Sequence, residues 1–283
     1  MKIFVYILSF SLLSSHCFSN EAKNTPKPYY NLNYPHPNCG LFSAFRYVLS
    51  ALKSYEDNAK TIAGVKIDFG KEGPYYDPLY GDNWWEYYCE PIDIGSQKNS
   101  LLKSWNDLPP CPIQFHNNKK EANFIISKYI QVKPHILQKV GEIVSNQFKH
   151  YMIGVHYRGT DKVTEAPRVR YHEMAKAVSE FVISEGLRQF KVFVATDEVN
   201  FLKFMKKKFP NRIVCYEESY RSTDNAPIHF NETLSPYKKG EDAFIDCLLL
   251  SHCNYLIATC SHLSLCSTFF NPKLQMRVLN NYK

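Results

Sequence analysis

The chain has 283 residues, a formal charge of +7 from 34 Lys and Arg against 27 Asp and Glu, and 45% hydrophobic and 15% aromatic residues. Such a composition supports an apolar core, and no low-complexity tract, heptad array or internal repeat interrupts it. The charge is spread out apart from Lys206-Lys207-Lys208, which suits an anionic small ligand and excludes the dense basic stripe of a nucleic-acid binder.

Met1-Lys2, the apolar run over 3–13 and the small and polar residues up to Ser19 read as a secretory signal peptide over 1–19, with Asn20 the first mature residue. The run is shorter than the roughly 20 apolar residues that span a bilayer, so no stable membrane span is expected; an uncleaved anchor is the alternative. The expected location is a secretory lumen, the periplasm or the exterior. About 260 residues remain, enough for two lobes of roughly 120 residues each. Eight cysteines follow the leader, without the paired spacing of a zinc site, and Asn231-Glu232-Thr233 is a glycosylation sequon.

A Pro- and Asn-rich segment over 25–37 leads to Gly40 and a helix over 41–55, whose apolar residues recur at spacings of three and four. A strand follows over 64–69, then an irregular aromatic stretch over 73–91, and a helix pair over 125–148 broken near Pro134. From there strands over 151–156, 189–195, 212–215, 255–259 and 276–279 alternate with helices over 171–183, 200–209, 242–251 and 261–270. Short connections between alternating elements predict a doubly wound parallel α/β lobe over 149–283, after an amino-terminal lobe over 20–148. Ligands of such sheets bind beyond the carboxyl ends of the strands. Polar clusters stand at four of these ends, at 156–162, 196–198, 215–218 and 259–262, and convergence of the first, second and fourth carries the argument.

His156 and Arg158 alternate out of a buried strand toward the turn that holds Asp161 and Lys162. A planar, permanently charged guanidinium is suited to phosphate oxygens. The run His156-Tyr157-Arg158-Gly159-Thr160-Asp161-Lys162-Val163-Thr164-Glu165 is followed by Ala195-Thr196-Asp197-Glu198, by Asp246 before Leu248-Leu249-Leu250-Ser251, and by Ala258-Thr259-Cys260-Ser261-His262. In order and spacing these resemble the motifs of the α-1,6-fucosyltransferases, the nodulation fucosyltransferases and, more distantly, the protein O-fucosyltransferases. Cys39-Gly40-Leu41-Phe42 resembles the glycine turn of the same enzymes.

The resemblance implies a two-lobed GT-B-like α/β fold, with an acceptor-side lobe over 20–148 and a nucleotide-sugar-binding lobe over 149–283. It implies GDP-fucose as donor, a glycan or glycoprotein acceptor, no cofactor and no required metal. No Asp-x-Asp pair is present to hold an ion on a diphosphate. By the same resemblance Arg158 and Lys162 meet the donor diphosphate, His156 lies beside the nucleoside, Asp246 hydrogen-bonds guanine, and Gly40, Ser261 and His262 approach the phosphates. Asp161 belongs to the same turn, and Asp197 orders the site or caps a helix. Asp242 is expected in the cap region of its helix. Glu165 aligns with the proposed base, with Glu198 or Glu241 as substitutes. The sequence departs from the α-1,6 enzymes at Gly159, where they carry a second arginine. A transferase of another nucleotide sugar, or a silent glycan- or nucleotide-binding protein of the same fold, remain the competing readings.

Overall fold

The computed structural model describes residues 26–34, 39–98, 100–104, 118–160, 166–224 and 226–281. The expected leader over 1–19, Cys111, Asp161, Lys162 and Glu165 lie outside them.

The first sheet has the order β3-β2-β1-β4, from β1 (Pro28–Leu32), β2 (Gly64–Ile67), β3 (Asp93–Gly95) and β4 (Leu101–Ser104). β1 runs parallel to both β2 and β4, whereas β3 is antiparallel to β2. The Pro- and Asn-rich opening segment thus supplies a central strand. Pro28 stands at the strand's first position, where a missing N–H is tolerated. Tyr29, Tyr30 and Leu32 are buried and hold the strand in place through packing. Between β1 and β2 runs α1 (Leu41–Asp57), with Phe42, Phe45, Leu49 and Leu52 on its buried face.

Two helices bridge the sheets, α2 (Lys119–Tyr129) and α3 (Pro134–Gln147), the second opening on a proline at a position where no helical N–H is needed. The second sheet has five strands, all parallel, in the order β7-β6-β5-β8-β9: β5 (Tyr151–Tyr157), β6 (Phe190–Thr196), β7 (Ile213–Val214), β8 (Tyr255–Ala258) and β9 (Gln275–Val278). Its crossover helices are α4 (Tyr171–Ser184), α5 (Val199–Lys208), α6 (Pro236–Ser251) and α7 (His262–Phe270). Helices α4 and α5 cover one face through Met174, Val178, Phe201 and Met205, packed on Ile153 and Val155. On the other face α6 and α7 join an apolar core that also contains α1. Helices on both faces explain why β5 and β6 are nearly continuous apolar runs.

That shared core carries the first unit onto the second. Phe42 meets Phe244 with ring centroids 5.4 Å apart, and Phe45 meets Phe270 at 5.7 Å. The Tyr88 hydroxyl donates to the Tyr237 carbonyl at 2.9 Å, and Asn123 of α2 donates to the Phe269 carbonyl at 2.9 Å.

Helix α6 begins six residues before the expected start. Ser235 caps it, its hydroxyl accepting from the Lys238 amide, and Pro236 occupies the first turn. Asp242 therefore lies inside the helix rather than at its cap. Among the described residues no helix is long and apolar enough to cross a membrane.

Candidate active site

In the second sheet the chain steps from β5 outward to β6 and β7, then returns to the other side of β5 for β8 and β9. The switch point lies between β5 and β8, where a parallel sheet opens a crevice at its carboxyl end. Two hydrogen bonds fasten that point. Thr259, just past β8, donates its amide to the His156 carbonyl at 2.9 Å, and its hydroxyl accepts from the Arg158 amide at 2.9 Å. Strand β5 thus delivers His156 and Arg158 to a cleft that opens to solvent, the place where parallel sheets bind their ligands.

Asp197 follows β6 and reaches across to the loop after β5. Its carboxylate accepts from the Thr160 hydroxyl at 2.7 Å and from the Gly159 amide at 3.3 Å, and lies 3.8 Å from Arg158 Nε. It orders the loop directly; the cap position of α5 belongs to Glu198. Arg158, its side chain 24% exposed, is held in the cleft between Asp197 and solvent.

Glu198 is buried behind the same loop. It pairs with Arg168 at 3.1 Å and accepts from the Tyr171 hydroxyl. Burial pushes its carboxyl above the ordinary carboxylate range, while Tyr171 and Arg168 act against that shift. A Cβ at Gly159 would stand 2.1 Å from Glu198 Oε1 and 2.6 Å from the Tyr157 ring. The departure at Gly159 thus has a local cause: the space of a larger residue is already filled by Glu198. Together Asp197 and Glu198 hold both ends of the loop, Asp197 at Gly159 and Thr160, Glu198 at Arg168.

The opposite wall is α6. Asp246 is 8% exposed and lines the cleft, and its Oδ1 has no hydrogen-bond partner among the described residues. Burial pushes this carboxyl up to about 8; Arg221 and Lys238 work against the shift and Asp242 adds to it. Asp242, one turn earlier, accepts from the Tyr220 amide at 2.9 Å and pairs with Lys238. Burial raises its pKa as well, against the pull of Lys238. Lys239 also lines the cleft, its ammonium donating to the Asn231 carbonyl at 3.0 Å, and burial lowers its pKa.

His156, Arg158, Asp197 and Asp246 are brought together as the sequence expected. Ser261 and His262 stand at the start of α7 beside the cleft-lining Leu263; the Ser261 hydroxyl caps the helix by accepting from the Leu263 amide at 3.2 Å. Gly40 caps α1, and the next amide, of Leu41, donates at 3.0 Å to the hydroxyl of Tyr75, a cleft residue. Among the described residues nothing lies within 4 Å of where a Gly40 Cβ would be. Asp161, Lys162 and Glu165 fall outside the described residues. Neither Glu198 nor Glu241 lines the cleft: Glu241 is tied to Lys139 at 2.8 Å and to the Tyr237 hydroxyl at 3.1 Å. Tyr75, Ser219, Tyr220, Lys239 and Asp242 line it without having been singled out as ligands. Ser219 and Tyr220 come just after the polar cluster at the end of β7, so strand-end position was the signal that could have found them. Among the described residues no group of three or more His, Cys, Asp and Glu is placed to hold a metal ion.

A cleft over the switch point of a parallel sheet, joined through one core to a second α/β unit, gives a two-lobed α/β architecture. Solved structures share it. Fucosyltransferase NodZ from Bradyrhizobium superposes with a TM-score of 0.58 at 14% identity, covering 92% of this chain and 99% of that one. NodZ α-1,6-fucosyltransferase soaked with GDP-fucose gives 0.57 at 16% identity, with 87% and 93% covered. POFUT1 in complex with GDP-fucose gives 0.50 at 11% identity, with 89% and 98% covered. At such identities the likeness speaks for the fold. No curated protein matches the chain significantly by sequence. The family model of the α-(1,6)-fucosyltransferase N- and catalytic domains matches residues 119–269, more than half of the chain, and the chain belongs to that family of glycosyltransferases.

Proposed function

We propose that the enzyme moves fucose from GDP-fucose to a hydroxyl of a glycan or glycoprotein, with inversion at the anomeric carbon and without a metal ion. The observation that carries this reading is the presence, in one cleft over the switch point, of a permanent cation at Arg158 and a buried carboxyl at Asp246 whose Oδ1 has no partner among the described residues. The complexes of NodZ with GDP and of POFUT1 with GDP-fucose support it.

In this reading ionised Asp246 accepts the N1–H and N2–H of guanine, and His156 stands beside the nucleoside. Arg158 neutralises the diphosphate, joined by Lys162 from the turn that also holds Asp161. Gly40 and the backbone at Ser261 and His262 approach the phosphates, as helix starts favour anions. The acceptor oxygen attacks the anomeric carbon while the bond to the diphosphate oxygen breaks. The acceptor proton goes to Glu165 and the leaving charge to GDP, where fixed cations in a dry site are most effective. Loss of the base lowers turnover by ~10²–10⁴-fold. The lobe over 20–148 receives the acceptor, and a leader over 1–19 directs the enzyme to a secretory lumen, the periplasm or the exterior.

Turnover with GDP-fucose and a panel of glycans, with and without EDTA, tests the reading. Release of GDP and a fucosylated product of opposite anomeric configuration, both unaffected by EDTA, are expected. Activity that EDTA abolishes, or that prefers a UDP-sugar, contradicts it.

A further inference from the structure

Another cleft-lining residue carries a buried polar atom without a partner among the described residues. Ser219 is 8% exposed, and its hydroxyl meets no hydrogen-bond partner among the described residues. Leaving such a group unpaired costs about 1–3 kcal/mol, and native proteins pair nearly all of them. The hydroxyl is also held firmly. The Ser219 amide donates to the Tyr216 carbonyl at 3.2 Å, closing a turn after β7. Arg221 braces both ends of that turn, its guanidinium donating to the Tyr216 carbonyl at 2.7 Å and to the Ser219 carbonyl at 3.1 Å. The next amide, of Tyr220, is fixed to Asp242, one helical turn before Asp246. One rigid wall therefore presents two unsatisfied groups to the same cleft, an acceptor at Asp246 and a hydroxyl at Ser219.

Resting on the donor assignment above, we infer that the Ser219 hydroxyl donates to O6 of the guanine, beside the N1–H and N2–H that Asp246 accepts. With the carboxylate on N1–H and N2–H, the adjacent group on the base edge is O6, an acceptor that needs a donor. Adenine offers the reverse pattern there, an amino donor at C6 and a bare N1. It would set a lone pair against Asp246, while the Ser219 hydroxyl turns to accept from the amino group, so Asp246 carries the discrimination and Ser219 adds affinity at O6. A site built to hydrogen-bond a group rejects analogues lacking it more strongly than an apolar pocket does.

Titration calorimetry of the full chain with GDP and 6-thio-GDP tests this, using the wild type, Ser219→Ala and Ser219→Thr. The thio analogue keeps N1–H and N2–H but replaces O6 by a weak acceptor. The wild type is expected to bind GDP about tenfold more tightly than 6-thio-GDP. Ser219→Ala binds GDP about five- to tenfold more weakly and no longer separates the two ligands; Ser219→Thr, which keeps the hydroxyl, restores the difference. Ser219→Ala with unchanged GDP affinity overturns the inference, as does an equal loss for GDP and 6-thio-GDP. A folded wild type that binds no GDP overturns the donor assignment itself, and this inference with it.

Discussion

The two sheets of the molecule are built for different work. In the second sheet the central strands are buried on both faces, every pairing is parallel, and helices cover both sides. In the first the strands are short, β3 is antiparallel, and β3 and β4 leave much of their surface exposed. Among the described residues the cleft takes Tyr75 from the first unit and all its other lining residues from the second. Two loop glycines make the same contrast. At Gly159, in the second unit, the missing side chain is replaced by the protein's own Glu198. At Gly40, in the first, the corresponding space is open among the described residues. The second unit is organised around its own buried polar network, whereas the first leaves open space at the start of α1 among the described residues.

The comparison can be broken most directly at Arg158. Arg158→Ala should reduce turnover by at least ~100-fold while leaving the fold intact, because the guanidinium acts on developing charge in the leaving group; an active Arg158→Ala enzyme, assayed for GDP release, would remove the second unit from the chemistry. Asp246→Asn should weaken GDP binding by about 10–100-fold, the range for losing hydrogen bonds to a charged group. From pH 6.5 to 8, GDP affinity of the wild type should rise by up to about tenfold per pH unit, since the carboxyl at about 8 must lose its proton to accept from guanine. The same shift acts on stability. Between about pH 4 and 8 the native chain keeps a proton on Asp246 that the unfolded chain has lost, so this group's contribution falls as pH rises through that window. The Tm advantage of Asp246→Asn over the wild type should therefore grow from pH 4 to 8, and a constant difference would contradict it.

The two glycines sharpen the comparison further. Gly159→Ala forces a methyl against Glu198 and Tyr157 and should lower the unfolding free energy by about 1–3 kcal/mol, measured by urea denaturation. Gly40→Ala meets open space at an extended backbone, φ −71° and ψ 156°, and should change stability by no more than ~0.5 kcal/mol. Its effect should appear instead as a few-fold weaker GDP affinity, because a methyl blocks close approach of a phosphate to the helix start. Loss of stability at Gly40 with no loss at Gly159 would reverse the assignment.

The second sheet was readable because its strands are continuous apolar runs separated by amphipathic helices, a pattern that local sequence carries by itself. β1 was not, because Pro28 and Asn31 give a loop-like composition and burial of Tyr29 and Tyr30 is decided by tertiary packing. The start of α6 was written in Ser235-Pro236, a cap followed by a proline, but the polar run through Lys238, Lys239 and Glu241 hides it from a reading based on apolar spacing. These three are partly or wholly buried in the fold, where Glu241 pairs with the distant Lys139, Lys238 with Asp242 one turn on, and Lys239 with the Asn231 carbonyl. The site divides in the same way. His156, Arg158, Asp197 and Asp246 stand at strand ends or within a recognisable motif. The replacement of a side chain at Gly159 by Glu198 depends on a contact between two strand ends that no local pattern encodes.

The central claim is that this cleft binds a guanine nucleotide through Arg158. Titration of the purified chain with GDP, UDP and ADP in the absence of added metal, alongside Arg158→Ala, tests it most directly. The account predicts selective GDP binding that the substitution weakens by at least about tenfold, as for a charged hydrogen bond to phosphate. Equal binding of all three nucleotides, or GDP binding unchanged in Arg158→Ala, would contradict it.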